Sequence, residues 1–338
     1  KSADRYLRFV FLTGVTKFAQ VSVFSDLNQL NDISMKSPYA ALCGITKEEL
    51  VKTFLPELER LAKRRGISLQ EVIDLMERQY DGYHFHPEGV GMFNPFSVLN
   101  AFDAEEMGYY WFQTGTPTYL VDLLKQSDYD IRLLIDGVEV LASAFSEYRA
   151  ETNNPLPMIY QSGYLTIKGY DDDVKLYTLG FPNDEVRYGF LNFLVPYYTN
   201  VSNDETGFHI AKFMRELKSG DVEAFMERLK IFFSGIPYEL SDDTERHYQV
   251  IFHVVFTLLG QFIRSEVRSS RADAVVHTPT AIYVFEFKLD GTADAALKQI
   301  DEKGYLIPYT LDGRKLVKVG VNFSKETRNI DEYIVVEE

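Results

Sequence analysis

The clearest pattern of apolar and polar positions lies in AIYVFEFKLD, where residue types alternate with a period of two. This period predicts a β-strand, because successive side chains of a strand point to opposite faces of its sheet. One face carries Ile282, Val284, Glu286 and Lys288, and the other carries Tyr283, Phe285, Phe287 and Leu289. Both charged side chains therefore leave the same face of an otherwise apolar strand.

The segments around this strand predict a complete unit from Gly207 to Glu338. Periodicity predicts a helix from Thr244 to Phe262 and strands at 263–269, 272–277 and 281–289. A helix at 293–305 and strands at 315–323 and 333–336 follow. The order α-β-β-β-α-β, followed by one further strand, is that of an α/β unit with its helices outside the sheet. The polar stretch 200–206 precedes the unit and predicts a surface connection.

Helical patterns dominate the region 46–206, which we interpret as a mostly helical middle part. Thr46 with Glu49, and Ser68 with Glu71, have the spacing of capping boxes, and Gly66 ends the first helical run. The segment YQSGYLTIKGYDDDVKLYTLG predicts one hairpin within this region. Residues 1–45 form the third part, in which RFVFLTG, Arg8 to Gly14, predicts a short buried strand at the edge of a larger α/β unit.

Composition and length agree with a multidomain globular chain. The 338 residues exceed what one core usually supports, and 46% are hydrophobic against 25% charged. The longest apolar stretch, Val250 to Ile263, is too short to cross a bilayer, so we expect no membrane span. A single cysteine, Cys43, excludes an internal disulfide and favours a cytoplasmic location.

The net charge of −15 disfavours a protein that coats nucleic acid nonspecifically, since most of its surface would repel phosphates. Any contact with a polynucleotide is therefore expected at a local site. The sequence does not indicate an oligomeric state.

The candidate chemistry lies on the alternating strand and its predecessor. An antiparallel turn through HTPTA brings Asp273 near Glu286. Two carboxylates at one point favour a hard divalent cation such as Mg²⁺ or Mn²⁺, which lowers the pKa of a bound water. Lys288 would orient that water and offset charge in the transition state. The alternative is a structural ion pair between Glu286 and Lys288, with Asp273 only opening the neighbouring strand.

The segments SEVRSSRADAVV, IYVFEFKLDGTADAALKQIDEKGY, VKVGVNFS and NIDEY resemble the PD-(D/E)xK nuclease-superfamily domain attached to AAA-ATPase-like proteins of bacteria. This resemblance implies a restriction-endonuclease-like fold. It makes Asp273 and Glu286 metal ligands and Lys288 the catalytic lysine, and it adds the supporting residues Gln299 and Tyr305. Glu245 is implied as a further ligand, with Glu266 as an additional candidate.

Upstream segments, among them YDGYHF, NPFSVLNAF and LGFPNDEVR, resemble the remainder of the same two-part family. That part should contain a Gly-rich phosphate loop, but GVTK at Gly14 to Lys17 lacks the G-x-x-x-x-G-K-[ST] spacing. In the family it is similar to a loop after a central strand, where Thr13 or Thr16 could sense a γ-phosphate. We therefore expect residues 1–45 to begin inside an AAA-ATPase-like core, and ATP not to bind this chain.

Two functions remain open at this point. The first is a Mg²⁺-dependent nuclease whose action on nucleic acid, DNA rather than RNA, is coupled to an ATPase. The second is a regulatory or nucleic-acid-sensing module that keeps the nuclease fold without cleavage. The first is motivated by Asp273, Glu286, Lys288 and Gln299 in order, and the second by the acidic charge and the missing phosphate loop.

Overall fold

The chain folds into two compact units, Lys1–Phe190 and Leu191–Glu338. The computed structural model describes residues 6, 8–14, 31–113, 118–127, 129–145, 154–199, 201–235, 244–267 and 272–338. These residues contain helices and two β-sheets, so the fold is mixed α/β. The boundary between the units lies within one helix, upstream of the polar stretch 200–206.

The first unit contains seven α-helices and three strands among its described residues. The helices are α1 (Lys47–Thr53), α2 (Leu55–Arg65), α3 (Leu69–Tyr80), α4 (Pro95–Ala104), α5 (Thr118–Gln126), α6 (Arg132–Asp136) and α7 (Leu156–Gln161). The strands are β1 (Val138–Val140), β2 (Thr166–Asp171) and β3 (Leu176–Gly180). Helix α8 (Asp184–Thr199) begins in this unit. The buried faces of α1 to α4 share one apolar core that includes Leu61, Met76 and Val98.

The helix starts of this unit follow the predicted capping chemistry. Both boxes form, with Thr46 and Ser68 accepting from the backbone N–H three residues later. Gly66 ends α2 in the left-handed conformation, as its position predicts. The run that we expected as one helix from Thr46 to Gly66 is two helices, because Pro56 lacks the N–H that would continue the hydrogen-bond ladder.

The predicted hairpin is the antiparallel pair β2–β3. A third strand that periodicity did not indicate, β1, pairs with the free edge of β3, so the sheet order is β1-β3-β2. Helices nevertheless supply most of the regular structure among the described residues of 46–206. With only three residues, β1 is too short for its periodicity to be read from sequence.

The prediction of a buried strand at Arg8–Gly14 is wrong for the described residues. Residues 9–14 have no regular secondary structure, and the side chains of Phe9 and Leu12 are 81% and 56% exposed. An apolar run forms a strand only when a neighbouring strand accepts its hydrogen bonds, and none of the described strands does so here. Thr16 and Lys17, also named in the sequence analysis, lie outside the described residues.

The second unit is a three-layer arrangement. Its helices after α8 are α9 (Asn203–Ser219), α10 (Val222–Ser234), α11 (Thr244–Leu259) and α12 (Ala293–Glu302). Its strands are β4 (Arg264–Val267), β5 (Ala274–His277), β6 (Ala281–Leu289), β7 (Lys315–Ser324) and β8 (Asn329–Glu337). They form one sheet in the order β4-β5-β6-β7-β8, in which only the β6–β7 pair is parallel.

The two faces of β6 pack against different helices, as its alternation predicts. On one face, the ring of Phe285 lies 5.6 Å from that of Phe225 in α10 and 5.0 Å from that of Phe256 in α11. On the other face, Val284 shares an apolar cluster with Ile300 of α12. The charged residues of β6 therefore leave the sheet on the α12 side.

The long apolar stretch that we expected not to span a membrane lies largely in α11, a helix of 16 residues. Within the described ranges, no helix combines the length and the apolar character needed to cross a bilayer.

Candidate active site

The antiparallel pairing of β5 with β6 places Asp273 beside the two charged residues of β6. Ala274 lies opposite Phe285, and Asp273 comes directly before Ala274. The Asp273 Oδ2 atom accepts a 2.8 Å hydrogen bond from the backbone N–H of Phe287. This bond holds the Asp273 carboxylate next to the segment that carries Glu286 and Lys288. Burial raises the pKa of Asp273, while the Phe287 hydrogen bond and the Lys288 charge oppose the rise.

Glu286 is the most deeply buried charged group of the site, with 3% of its surface exposed. Burial and then the nearby charge of Asp273 raise its pKa to about 7, against the opposing charge of Lys288. Its Oε2 atom is buried and has no hydrogen-bond partner among the described residues. A buried carboxylate oxygen without a partner is costly, so this atom is suited to a cation.

Gln299 of α12 links the charged residues through its side-chain amide. The Lys288 ammonium donates to Gln299 Oε1, and the Gln299 amide nitrogen donates to Glu286 Oε1. The Lys288 Nζ atom lies 3.6 Å from Glu286 Oε1. The Gln299 amide nitrogen also lies 3.5 Å from the Tyr305 hydroxyl oxygen. Glu286, Lys288, Gln299 and Tyr305 thus form one polar group on the α12 side of the sheet, which we call the β6–α12 cluster.

The two other acidic candidates have different positions. Glu245 lies in the first turn of α11, and its side chain lies outside the described part of the structure. Glu266 lies on β4, where its Oε1 atom accepts hydrogen bonds of 2.9 and 2.6 Å from Arg264. The same oxygen lies 3.8 Å from His277 Nε2. Glu266 is therefore paired with Arg264, which lies two residues earlier on the same strand at the edge of the sheet.

The residues present suit a divalent cation, although they supply few ligands. In the described part of the chain, no group of three or more His, Cys, Asp or Glu side chains is arranged to hold a metal ion. Asp273 and Glu286 offer two carboxylates, and the Glu286 Oε2 atom is without a partner there. A cation such as Mg²⁺, which keeps several of its waters, fits such a two-carboxylate site.

Two residues of β7 that the sequence analysis did not name support the site. Gly320 lies opposite Glu286, and Asn322 lies opposite Lys288. The Asn322 side-chain oxygen accepts a 2.8 Å hydrogen bond from the backbone N–H of Gly291, just after β6. A glycine inside a strand often marks a close approach of another backbone, and this was the signal available in KVGVN.

This fold and cluster define the class of domain. Residues 243–333 match the family model of the PD-(D/E)XK nuclease superfamily, so this part of the chain is a domain of that superfamily. The match includes Asp273, both charged residues of β6 and the helix that carries Gln299. The superfamily is described as one of nucleases, which suggests a nuclease-type function for this domain.

A longer protein is similar to nearly the whole chain. It is described as an uncharacterized protein in the vnfD 5′ region of Azotobacter chroococcum mcd 1, and it is 33% identical over 356 aligned positions. The alignment covers 99% of this chain and 64% of the relative, so the chain spans a little under two thirds of the relative's length. No solved structure matches the chain.

Proposed function

We propose that the chain carries a divalent-metal-dependent nuclease, with Mg²⁺ or Mn²⁺ as the ion, that hydrolyses phosphodiester bonds. The observation that carries the proposal is the β6–α12 cluster beside Asp273, inside a PD-(D/E)XK superfamily domain. A purely structural ion pair between Glu286 and Lys288 accounts less well for this arrangement. Burial and the charge of Asp273 both disfavour the charged form of Glu286.

Asp273 and Glu286 would hold the cation through their carboxylates. When bound, the cation supplies Lewis-acid stabilisation of phosphate charge and a more acidic water. Asp273 is oriented for this task by the Phe287 N–H, which occupies one of its two oxygens and leaves Oδ1 for another partner. Glu286 would contribute Oε2, the oxygen that Gln299 does not engage.

Lys288 would act on the attacking water and the scissile phosphate, not as a metal ligand. Its ammonium is anchored to Gln299 Oε1 and lies 3.6 Å from Glu286 Oε1, so it points to the same place as the carboxylates. A positive charge fixed there offsets the charge that develops on the phosphate in the transition state. Gln299, with Tyr305 beside it, would keep the lysine and the glutamate at a constant separation.

The substrate that we propose is nucleic acid, DNA rather than RNA, bound locally. A formal charge of −15 makes broad electrostatic binding unfavourable, so neutralisation of phosphates must come from a few groups at the site. We further propose that residues 1–45 belong to an AAA-ATPase-like part, that 46–206 form a lid-like middle region, and that 207–338 are the nuclease part. ATPase-coupled cleavage in the cytoplasm is the corresponding proposal for the whole protein.

A cleavage assay tests this function. Single-stranded DNA, duplex DNA and RNA of one sequence are incubated with the chain in Mg²⁺, in Mn²⁺ or in chelator, alongside Glu286→Gln and Lys288→Ala. We expect metal-dependent cleavage of DNA that both substitutions abolish. Cleavage that persists in both variants would point to a contaminating nuclease or to a different site.

The second candidate function is a nucleic-acid-binding module that keeps the fold without cleavage. It is favoured by the small number of described metal-ligand side chains at the site. On this alternative the chain binds DNA with the same affinity in chelator and in Mg²⁺, and the wild-type protein shows no more cleavage than Glu286→Gln.

A further inference from the structure

We propose that Gly320 of β7 is a positioning residue for the candidate site. By leaving room for α12 against the sheet, it keeps the Gln299 amide between Glu286 and Lys288. The kinetic consequence of this inference rests on the proposed nuclease function, whereas its geometric part does not.

The first step is the close approach of α12 to the sheet at Gly320. A Cβ atom at this position would lie 2.4 Å from the carbonyl oxygen of Ala293, 2.8 Å from Leu297 Cγ and 3.0 Å from Leu297 N. Two of these three atoms belong to the backbone of α12, so they cannot rotate away as a side chain can. Any residue other than glycine therefore requires the helix to move outwards.

The second step connects this contact with the site. Gly320 lies directly opposite Glu286 in the parallel pair β6–β7. Gln299 belongs to the same helix as Ala293 and Leu297, and a short α-helix moves as a rigid body. An outward shift of α12 therefore carries the Gln299 amide away from β6. That amide accepts a hydrogen bond from Lys288 and donates one to Glu286, so the shift weakens both bonds.

The start of α12 is held by the same region of the sheet, so an outward push at Ala293 and Leu297 tilts the rest of the helix, with Gln299, away from β6. The Asn322 side chain accepts from the Gly291 N–H at 2.8 Å, and the Glu332 carboxylate of β8 accepts from the Ala293 N–H at 3.1 Å. Strand β7 contributes none of the proposed catalytic residues. It nevertheless determines where the catalytic lysine and its amide partner lie.

Gly320→Ala tests the proposal in two ways. In the metal-free protein, the side-chain amide resonance of Gln299 in a ¹⁵N–¹H spectrum should move towards that of a free glutamine and exchange faster with solvent. In the cleavage assay, kcat should fall by about 100-fold, the effect of roughly 1 Å of misplacement, with KM little changed. Adding Gly320→Ala to Gln299→Leu should cost nothing further in kcat, because both act through one amide.

Leu297→Ala is the matched control, since it removes packing between α12 and the sheet but adds no atom at position 320. It should lower the melting temperature and leave the Gln299 resonance and kcat unchanged. If Gly320→Ala does not fold, Ala296→Val pushes the helix outwards from its own buried side and should give the same amide shift.

A folded Gly320→Ala protein with an unchanged Gln299 resonance would overturn the proposal, as would an equal change in Leu297→Ala. Absence of cleavage by the wild-type chain overturns the proposed function instead. The amide resonance then still decides whether Gly320 positions Gln299.

Discussion

The carboxylate of Asp273 accepts a 2.8 Å hydrogen bond from the backbone N–H of Phe287, the residue between Glu286 and Lys288. The donor belongs to the backbone, so this link survives any non-proline substitution of the Phe287 side chain. It fixes Asp273 where its charge raises the pKa of Glu286. Two carboxylates held in this way repel each other until a cation or a proton separates their charges.

The pH dependence of stability should therefore report on Glu286. Its pKa in the folded chain is about 7, above the ordinary 4.5, so the folded state keeps a proton that the unfolded state has already lost. Stability should fall as the pH rises from about 4.5 to about 7 and remain low above that range. Glu286→Gln lacks this titration and should be more stable than wild type at pH 8, by at most about 3 kcal/mol.

Urea unfolding at pH 5 and pH 8 measures this difference without metal. Glu302→Gln is the matched control, because Glu302 is an exposed carboxylate on α12 and should leave the pH profile unchanged. If the free energy of unfolding of Glu286→Gln falls between pH 5 and pH 8 as much as that of wild type, other groups cause the pH dependence.

Glu286→Gln and Lys288→Ala should differ in metal binding although both lose cleavage. The first removes a carboxylate ligand and should abolish Mg²⁺-dependent cleavage together with most Mg²⁺ binding. The second removes the charge that acts on water and phosphate, so it should also abolish cleavage, a loss of about 100-fold or more, while Mg²⁺ binding is largely kept. Calorimetric titration and cleavage of a labelled oligonucleotide make the comparison. If Glu286→Gln unfolds the chain while Mg²⁺ binding persists, Glu286 is a structural ion-pair partner.

Two glycines of the first unit should respond very differently to alanine. Gly66 and Gly82 both have positive φ, +68° and +94°. A Cβ at Gly66 meets nothing within 4 Å, so Gly66→Ala should cost only about 1 kcal/mol of backbone strain. A Cβ at Gly82 would lie 2.3 Å from the carbonyl oxygen of Pro182, and the cost should reach about 3 kcal/mol or more. Urea unfolding compares the two variants. Equal unfolding midpoints would contradict the expected clash between a Cβ at position 82 and the Pro182 carbonyl oxygen.

ATP should not stabilise this chain. A ligand raises the melting temperature only of a fold that binds it, and the sequence lacks the phosphate-loop spacing. Thermal unfolding with and without ATP, each in Mg²⁺ and in chelator, is the measurement. A rise of several degrees with ATP that exceeds the effect of Mg²⁺ alone would show that part of the chain forms a nucleotide site.

The sequence predicted best those elements whose signal is local. The period of two in β6 gave its bounds and the face that carries Glu286, and the capping boxes gave the starts of α1 and α3. The turn after β5 also makes β5 and β6 antiparallel, which places Asp273 beside Glu286 as expected. These features depend on residues that are close in the chain, so short patterns determine them.

Features that depend on distant partners were not predictable in this way. The close approach of α12 at Gly320 joins segments that only the folded sheet brings together. The apolar run at Arg8–Gly14 has the composition of a strand, yet no described strand pairs with it. The three-residue β1 forms because β3 offers a free edge, which its own sequence does not reveal.

The arrangement of β5, β6 and α12 has a consequence for folding. Three elements that follow one another directly, β5, β6 and α12, carry or adjoin Asp273, Glu286, Lys288, Gln299 and Tyr305. The contacts among these residues therefore have low contact order and can form rapidly. The parallel pairing of β6 with β7 must wait for a longer loop to close, since α12 lies between the two strands. The carboxylates would then meet before their supporting strand arrives. A cation present at that stage would speed refolding, because it relieves their repulsion in the transition state as well as in the folded chain.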